Sequence, residues 1–293
     1  MPDNGDYILS NVGFSLNEKP TLRLQSGEAF IDFSPLGQTF TMTFDTSQKH
    51  CTGWRDITNG SHHPCLAEQL VDAKYEQCPA CQQRTGFNPA FYHANSVSPQ
   101  QEARNNEPHI LYLAHFGAQL IKVGISHAKR ERTRLLEQGA RSAVILDHFP
   151  TAHIARQYEA KIAALPGFVE TVQLRKKLDL ISQTYSPEDA ANELATAINT
   201  VESHLNVHFN SSEIVNLDGV YFPGNLPDLS HAYATDKELL LSGTCIGQLG
   251  SILFCAQGDE IFYLALKKYV GYTMHLTNTQ TLITAPARQT SLF

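Results

Sequence analysis

No stretch of the chain approaches the roughly eighteen consecutive apolar residues that a membrane-spanning helix requires, so no membrane span is expected. The first residues, Met1-Pro2-Asp3-Asn4-Gly5-Asp6, offer neither the basic region nor the apolar run of a secretory signal, and we expect a soluble, cytoplasmic protein. Positive charge is also short: 22 Lys and Arg stand against 29 Asp and Glu, a formal net charge of -7. That balance speaks against a protein that coats duplex DNA, because non-specific duplex binding draws its affinity from many cation contacts to phosphate. Any nucleic-acid contact must be local. No internal repeat of fixed period is found.

What is present is enough for a real core. The 293 residues suffice for two domains, or for one with large additions, and 42% are hydrophobic. Residues 1 to 50 read as β-structure, with Thr39 to Phe44 alternating strictly and short strand candidates at Thr21 to Leu24 and Phe30 to Phe33. The polar run from Asn95 to Asn106 reads as a linker, placing a boundary near residue 105. A β-β-α-β-α pattern follows. Strands are expected at Ile110 to Ala114, Leu120 to Ile125 and Ala143 to Asp147, and helices from about His127 to Gln138 and from about Ala152 to Leu165. Gly139 sits where a C-terminal glycine belongs, Thr151 is a candidate N-cap, and Pro166-Gly167 is a stop.

A last helix should start at Ser186-Pro187, with Leu194, Ile198, Val201 and Leu205 as its core stripe. From about residue 214 the chain turns β again. Ser251 to Ala256 and Glu260 to Leu266 flank Gln257-Gly258-Asp259 as a hairpin in a compact sheet or small barrel.

Six cysteines are present, and four of them, Cys51, Cys65, Cys78 and Cys81, form the pattern C-x13-C-x12-C-x2-C. The Cys78-Pro79-Ala80-Cys81 knuckle lets two thiolates approach one ion at about 2.3 Å each, and four such ligands predict a closed, structural zinc site with no open position for water. His50, His62 and His63 are close enough in sequence to stand in for Cys51 or Cys65. Two disulfides are the bland alternative, disfavoured where the cytoplasm keeps thiols reduced. Cys245 and Cys255 read as small core residues.

The central segment carries local charge. Between Lys122 and Arg141 lie six cations (Lys122, Lys129, Arg130, Arg132, Arg134, Arg141) and two anions (Glu131, Glu137), a phosphate-seeking pattern within an acidic chain. Lys129, Arg130 and Arg132 are the candidate phosphate contacts, and Arg175-Lys176-Lys177 is a second basic point. An ordinary solvated helix face fits the same residues. Tyr112, Phe116 and Tyr158 could stack unpaired bases or simply pack. On the helix after Thr151, Glu159 falls at the margin of the apolar face of Ile154, Tyr158, Ile162 and Leu165, where a carboxylate needs a cation or donor. A magnesium ion or Arg134 could serve.

Ile110-Leu111-Tyr112, nine intervening residues, then Lys122-Val123-Gly124-Ile125-Ser126, followed by Arg134 and Glu159 on successive helices, resembles the signature of the GIY-YIG nuclease superfamily. Ile110 stands for its first glycine and Lys122 for its second tyrosine, similar to a divergent branch in which lysine precedes the glycine. With the four-cysteine region before this segment and Thr133-Arg134-Leu135-Leu136-Glu137-Gln138-Gly139-Ala140 within it, the chain also resembles an uncharacterised bacterial family, domain of unknown function 2797.

The GIY-YIG resemblance implies a catalytic set of Tyr112, Lys122, Arg134 and Glu159. Glu159 would hold catalytic magnesium or manganese, Arg134 would clamp phosphoryl oxygens, and Tyr112 would orient or deprotonate water. Lys122, with an ordinary pKa near 10.4, would hold phosphate. The expected fold is α+β: a β-rich zinc-binding region at 1–105, a GIY-YIG-like αβ domain at 106–210 and a β-rich C-terminal region at 211–293. The expected function is a zinc-stabilised nucleic-acid protein, with RNA or structured DNA as partner and a metal-dependent phosphodiesterase site. The alternatives are a non-catalytic nucleic-acid-binding module and a protein-interaction or assembly factor.

Overall fold

The computed structural model describes residues 1–87, 97–181, 183–224 and 226–285. The N-terminal part runs β1 (Gly5–Phe14), β2 (Pro20–Ser26), β3 (Ala29–Phe33), β4 (Thr39–Lys49), β5 (Trp54–Arg55), β6 (His62–His63), α1 (Pro79–Thr85) and α2 (Pro99–Asn105). The middle part runs β7 (His109–Gly117), β8 (Leu120–His127), α3 (Glu131–Gln138), β9 (Ser142–Phe149), α4 (Ala152–Ala163), β10 (Phe168–Val169), α5 (Leu174–Ile181) and α6 (Pro187–Leu205). The last part runs β11 (Val215–Asn216), α7 (Asp218–Tyr221), β12 (Tyr233–Ala234), β13 (Leu240–Leu249), β14 (Ile252–Gln257), β15 (Glu260–Ala265) and β16 (Tyr272–Thr277). The chain is α+β, as expected, with the cysteine cluster in its N-terminal region.

Local signals placed most central elements. Thr151 accepts from the Ile154 amide at the start of α4, Ser186 accepts from Asp189 at the start of α6, and Gly139 closes α3 in the left-handed conformation. The expected helix from His127 begins only at Glu131, because His127 to Arg130 form a tight 3-10 turn with the His127 ring accepting from the Lys129 amide. The expected linker is in part helix α2. Ser98 caps it by accepting from Gln101 and Pro99 opens it, a short capped helix hidden by polar composition. Asn95 and Ser96, at the head of that run, lie outside the described residues.

Both β-rich regions contribute to one nine-stranded sheet, in the order β12-β15-β14-β13-β4-β16-β1-β2-β3. Strand β16 lies between two N-terminal strands, pairing with β1 on one side and β4 on the other, and β13 takes the remaining edge of β4. Neither half closes a core alone. Leu9, Leu22, Leu24, Phe40 and Met42 pack in one cluster with Leu241, Leu253, Phe262, Met274 and Leu276. The β14/β15 hairpin forms around Gly258-Asp259, with Gln257 opposite Glu260. Cys245 and Cys255 face each other across β13 and β14 within this core, as small buried residues.

The middle segment forms a second sheet, in the order β10-β8-β7-β9-β11. Its central strand β7 is buried at every residue. Leu111 and Leu113 point into a core with Ile162 of α4 and with Leu194 and Val201 of α6. The alternate residues Ile110, Tyr112, Ala114 and Phe116 point into another, with Leu135 and Leu136 of α3 and with Leu249, Ile252 and Phe254 of the large sheet. At the seam between the sheets, the Arg141 guanidinium bonds both carboxylate oxygens of Asp218, at 2.9 and 2.7 Å. The Tyr185 ring lies 3.9 Å over it, and Tyr221 donates to the Ala140 carbonyl at 2.7 Å.

Candidate functional site

Two arrangements of functional side chains stand out. The first is the cysteine cluster. Cys51 follows β4, Cys65 follows β6, Cys78 is the N-cap of α1 and Cys81 lies in its first turn. All four are buried, and their sulfurs lie within 4.8 Å of one another. Cys65 and Cys78 sulfurs are 4.0 Å apart, close to the about 3.8 Å edge of a tetrahedron of 2.3 Å metal–sulfur bonds. All four thiols are free.

The backbone supports thiolate character unevenly. Burial pushes the Cys51 thiol up, opposed by amides of Cys78 and Gly53, and burial with neighbouring thiols raises Cys81 further. At Cys65 burial also raises, but the Gln69 and Ala67 amides outweigh it and leave the thiol below its ordinary value. Donors of this kind orient ligands around a metal, so the set has the chemistry and dimensions to hold an ion such as zinc. The three candidate histidines are elsewhere. The His62 ring stacks on Phe30 at 4.4 Å and bonds the Thr52 carbonyl, while His63 stacks on Trp54 at 4.2 Å. His50 bridges Leu70 through its backbone, and no histidine joins the cluster among the described residues. His62 and Phe30 seat the β5/β6 hairpin against β3, the edge of the large sheet.

The second arrangement surrounds Tyr112. Tyr112 and Gly124 are directly paired across β7 and β8, and the phenol lies over the glycine. A Cβ at 124 would meet the Tyr112 hydroxyl at 2.5 Å and its Cζ at 2.6 Å, so only glycine leaves room for the ring. The side chain is fully buried, and among the described residues its hydroxyl has no hydrogen-bond partner. Burial raises the phenol, opposed mainly by the nearby Arg134 guanidinium. Arg134 extends from α3. With the Gln138 amide turned to satisfy both of its atoms, its oxygen accepts from Arg134 Nη1 and Nη2 at 3.1 and 3.0 Å.

Lys122, two residues before Gly124 on β8, is buried, and its Nζ donates to the Glu170 carbonyl at 2.5 Å. Burial lowers it, opposed by the Glu159 charge and helped by Arg134. Lys177 of α5 donates to the Gln138 carbonyl at 2.6 Å and lies 5.2 Å over the Phe116 ring. Burial, then the Lys122 and Arg134 charges, bring it down to about 8. Glu159 is buried at the margin of α4, as its position predicts, but its partner is not Arg134. Arg156, one turn earlier, binds it at 2.5 Å and also reaches Glu170 at 2.6 Å. The fold therefore gathers Tyr112, Lys122, Arg134 and Glu159, and adds Arg156 and Lys177. A Glu159 partner at i−3 was open to a helical reading; Lys177 showed only as part of a basic triplet.

The expected basic face is largely neutralised. Arg130 pairs with Glu137, Arg132 with Glu18 in the β1–β2 loop, and Lys129 lies 3.7 Å from Glu107. Arg141 belongs to the buried seam. Of the aromatic candidates, Tyr158 stacks on Phe149 at 5.0 Å in a core, and Phe116 is buried beneath Lys177.

A family model described as protein of unknown function (DUF2797) matches residues 37–274, and the chain belongs to that family. The match spans the four cysteines and every residue around Tyr112. No curated protein and no solved structure matches the chain.

Tyr112→Phe should leave the fold intact and raise the unfolding free energy by about 1 kcal/mol, because it removes a buried hydroxyl that has no partner. Urea denaturation checks this, and a clear loss of stability would show that the hydroxyl is bonded in solution. Lys177 gives a pH signature. The folded amine loses its proton near pH 8 while an unfolded lysine keeps it to about 10.4, so between these values the unfolded state binds more protons and stability rises with pH. The rise between about pH 8 and 10 should be smaller in Lys177→Met, and an equal rise in both proteins would show that this amine is not the source.

Proposed function

We propose that this member of the family binds nucleic acid, RNA or structured DNA, at a phosphate site formed by Tyr112, Lys122, Arg134 and Lys177, and that its four cysteines hold one structural zinc ion. The observation that carries the reading is the Tyr112 hydroxyl, buried beside the Arg134 guanidinium and without a hydrogen-bond partner among the described residues. A phosphate oxygen would supply the missing acceptor and the missing negative charge together. Around this point Lys122, Arg134, Arg156 and Lys177 gather with Glu159 and Glu170, an excess of positive charge among these groups within an acidic chain. The acidic total favours a local site on RNA or a non-duplex structure over long DNA.

The likeness to the GIY-YIG superfamily supports the same reading: paired strands with tyrosine opposite glycine, an arginine from the next helix near the hydroxyl, and a buried glutamate from the helix after. Lys122, in the place of the second tyrosine, is a phosphate-holding group in this reading. A second reading, phosphodiester hydrolysis assisted by magnesium or manganese, rests on Arg156. Because Arg156 contacts Glu170 as well as Glu159, it can yield the Glu159 carboxylate to a divalent ion and keep a partner. A metal there would stabilise charge on the leaving oxygen.

The test is binding and cleavage of labelled RNA and DNA panels, with magnesium or manganese, by wild type, Arg134→Gln and Glu159→Ala. We expect wild type to bind and Arg134→Gln to bind at least tenfold more weakly, the loss of about 1.5 kcal/mol or more for a charged hydrogen bond. Cleavage that disappears in Glu159→Ala establishes the second reading. Absence of binding by wild type refutes both and points to a protein-docking role. For the cysteines, elemental analysis should find about one zinc ion per chain, and chelation or Cys78→Ser should lower the melting temperature. A metal-free protein that melts normally would refute the zinc assignment.

A further inference from the structure

Past β16 the chain crosses the large sheet without pairing to it as a strand. Residues 278–285 have no regular secondary structure, and among the described residues none of them makes a backbone–backbone hydrogen bond. Side chains of three neighbouring strands, β4, β13 and β14, hold the segment instead. Thr41 of β4 donates to the Thr279 carbonyl at 2.7 Å, and the Thr281 amide donates to the hydroxyls of Thr41 and of Ser242 on β13, at 2.9 and 2.8 Å. Gln257 of β14 takes the next step: its Nε2 donates to the Thr281 carbonyl at 2.7 Å and its Oε1 accepts from the Ile283 amide at 3.1 Å. Asn4 fastens the start, where its side-chain oxygen accepts from the Asn278 amide at 2.8 Å.

Spanning a carbonyl and an amide two residues apart is what one residue of a parallel neighbouring strand does, so the Gln257 amide stands in for a strand edge. It is set in that orientation, because Nε2 also donates to the Ser242 carbonyl at 3.1 Å. Thr41 and Ser242 are buried polar groups with their hydroxyls 2.7 Å apart. These contacts hold backbone and place no demand on sequence. The side chains of the segment supply that demand by alternating, as in any extended chain. The Thr281 hydroxyl lies 3.1 Å from that of Thr41, and Ile283 and Ala285 pack against the core of the large sheet, whereas Leu282 between them is 84% exposed.

We propose that Thr41, Ser242 and Gln257 form a peptide-docking track, and that an extended segment of a partner protein exchanges on it with residues 278–285. The partner segment carries a hydroxyl residue where Thr281 sits and a branched aliphatic residue two positions on, with no requirement at the position between. A segment fastened by side chains alone can leave without breaking a β-ladder, and the track it leaves keeps its donors and acceptors on three paired strands. Backbone contacts then give affinity, and the alternate side chains give specificity. The inference stands apart from the nucleic-acid reading, since it uses neither the Tyr112 site nor the cysteines.

The experiment is fluorescence anisotropy with the full chain and a labelled peptide that has the sequence of residues 279–285. The proteins are wild type, Ile283→Pro, which removes the amide bonded to Gln257 and so releases the segment, and Ile283→Pro/Gln257→Met. Thermal melts check folding, and faster amide exchange at residues 279–285 checks release, with Thr281→Pro as a second releasing variant. In wild type the attached segment competes at an effective concentration on the order of millimolar, so the peptide should bind Ile283→Pro about tenfold or more tightly than wild type. Gln257→Met should take back most of that gain. Substituted peptides should show selection at the positions of Thr281 and Ile283 and tolerance at that of Leu282. A folded, released variant that leaves the peptide unbound overturns the proposal, as does binding that Gln257→Met leaves unchanged. A segment that neither proline releases is a fixed part of the sheet, which overturns it too. A wild-type dimer in light scattering that Ile283→Pro dissociates makes the occupant a second copy and overturns the assignment to a different partner.

Discussion

Strand β7 has both faces covered, and the placement of almost every other element follows from that burial. One face meets α4 and α6; the other meets α3 and the large sheet. Because side chains alternate across a strand, Leu111 and Leu113 commit the first face to the helices while Ile110, Tyr112 and Phe116 commit the second to the sheet. A one-residue slip would exchange the two sets and put Tyr112 among the helices. Its pairing with Gly124 would then be lost, along with the space the ring occupies. The register of β7 on β8 therefore sets both the core and the candidate site.

The large sheet supplies the surface against which this register is held. It is built from both ends of the chain, with β16 inserted between β1 and β4, so the middle segment is bounded by strands that pair with each other. Arg141 and Asp218 lock the seam with two short charged hydrogen bonds beneath Tyr185. A buried pair of this kind contributes little net stability relative to an apolar substitute, but breaking it leaves one charge stranded. It ties the residue before β9 to the residue that opens α7, next to the β9/β11 pairing of the small sheet. The cysteine cluster acts at the far edge, where the β5/β6 hairpin rests on β3 through His62 and Phe30.

Charge illustrates how sequence and structure divide the information. The run from Lys122 to Arg141 is rich in cations by count, and that count is correct. Most of those cations are nevertheless spent on ion pairs with Glu137, Glu18, Glu107 and Asp218, of which only Glu137 lies within the run. The concentration of positive charge that survives is smaller and deeper, and it includes Lys177 from a helix some forty residues downstream in sequence. Glu159, for which the sequence left a magnesium ion or Arg134 open, finds Arg156 on its own helix, because one helical turn is a shorter reach than a neighbouring element.

The sequence by itself determined the elements whose signals are local. The caps at Thr151 and Ser186, the glycine after α3, the β14/β15 hairpin and the core stripe of α6 all depend on residues within a few positions of one another. The cysteine set was legible too, since four cysteines at this spacing that could share one metal ion form a recognisable pattern, and the structure brings their sulfurs together. Tertiary structure alone decided that the two β-rich regions are one sheet, that α2 is a helix where a linker was expected, and which cations remain free. These are long-range matters. Strand pairing across some 230 residues and ion pairs between distant elements depend on where the backbone brings side chains together, and no local pattern of residues encodes that distance.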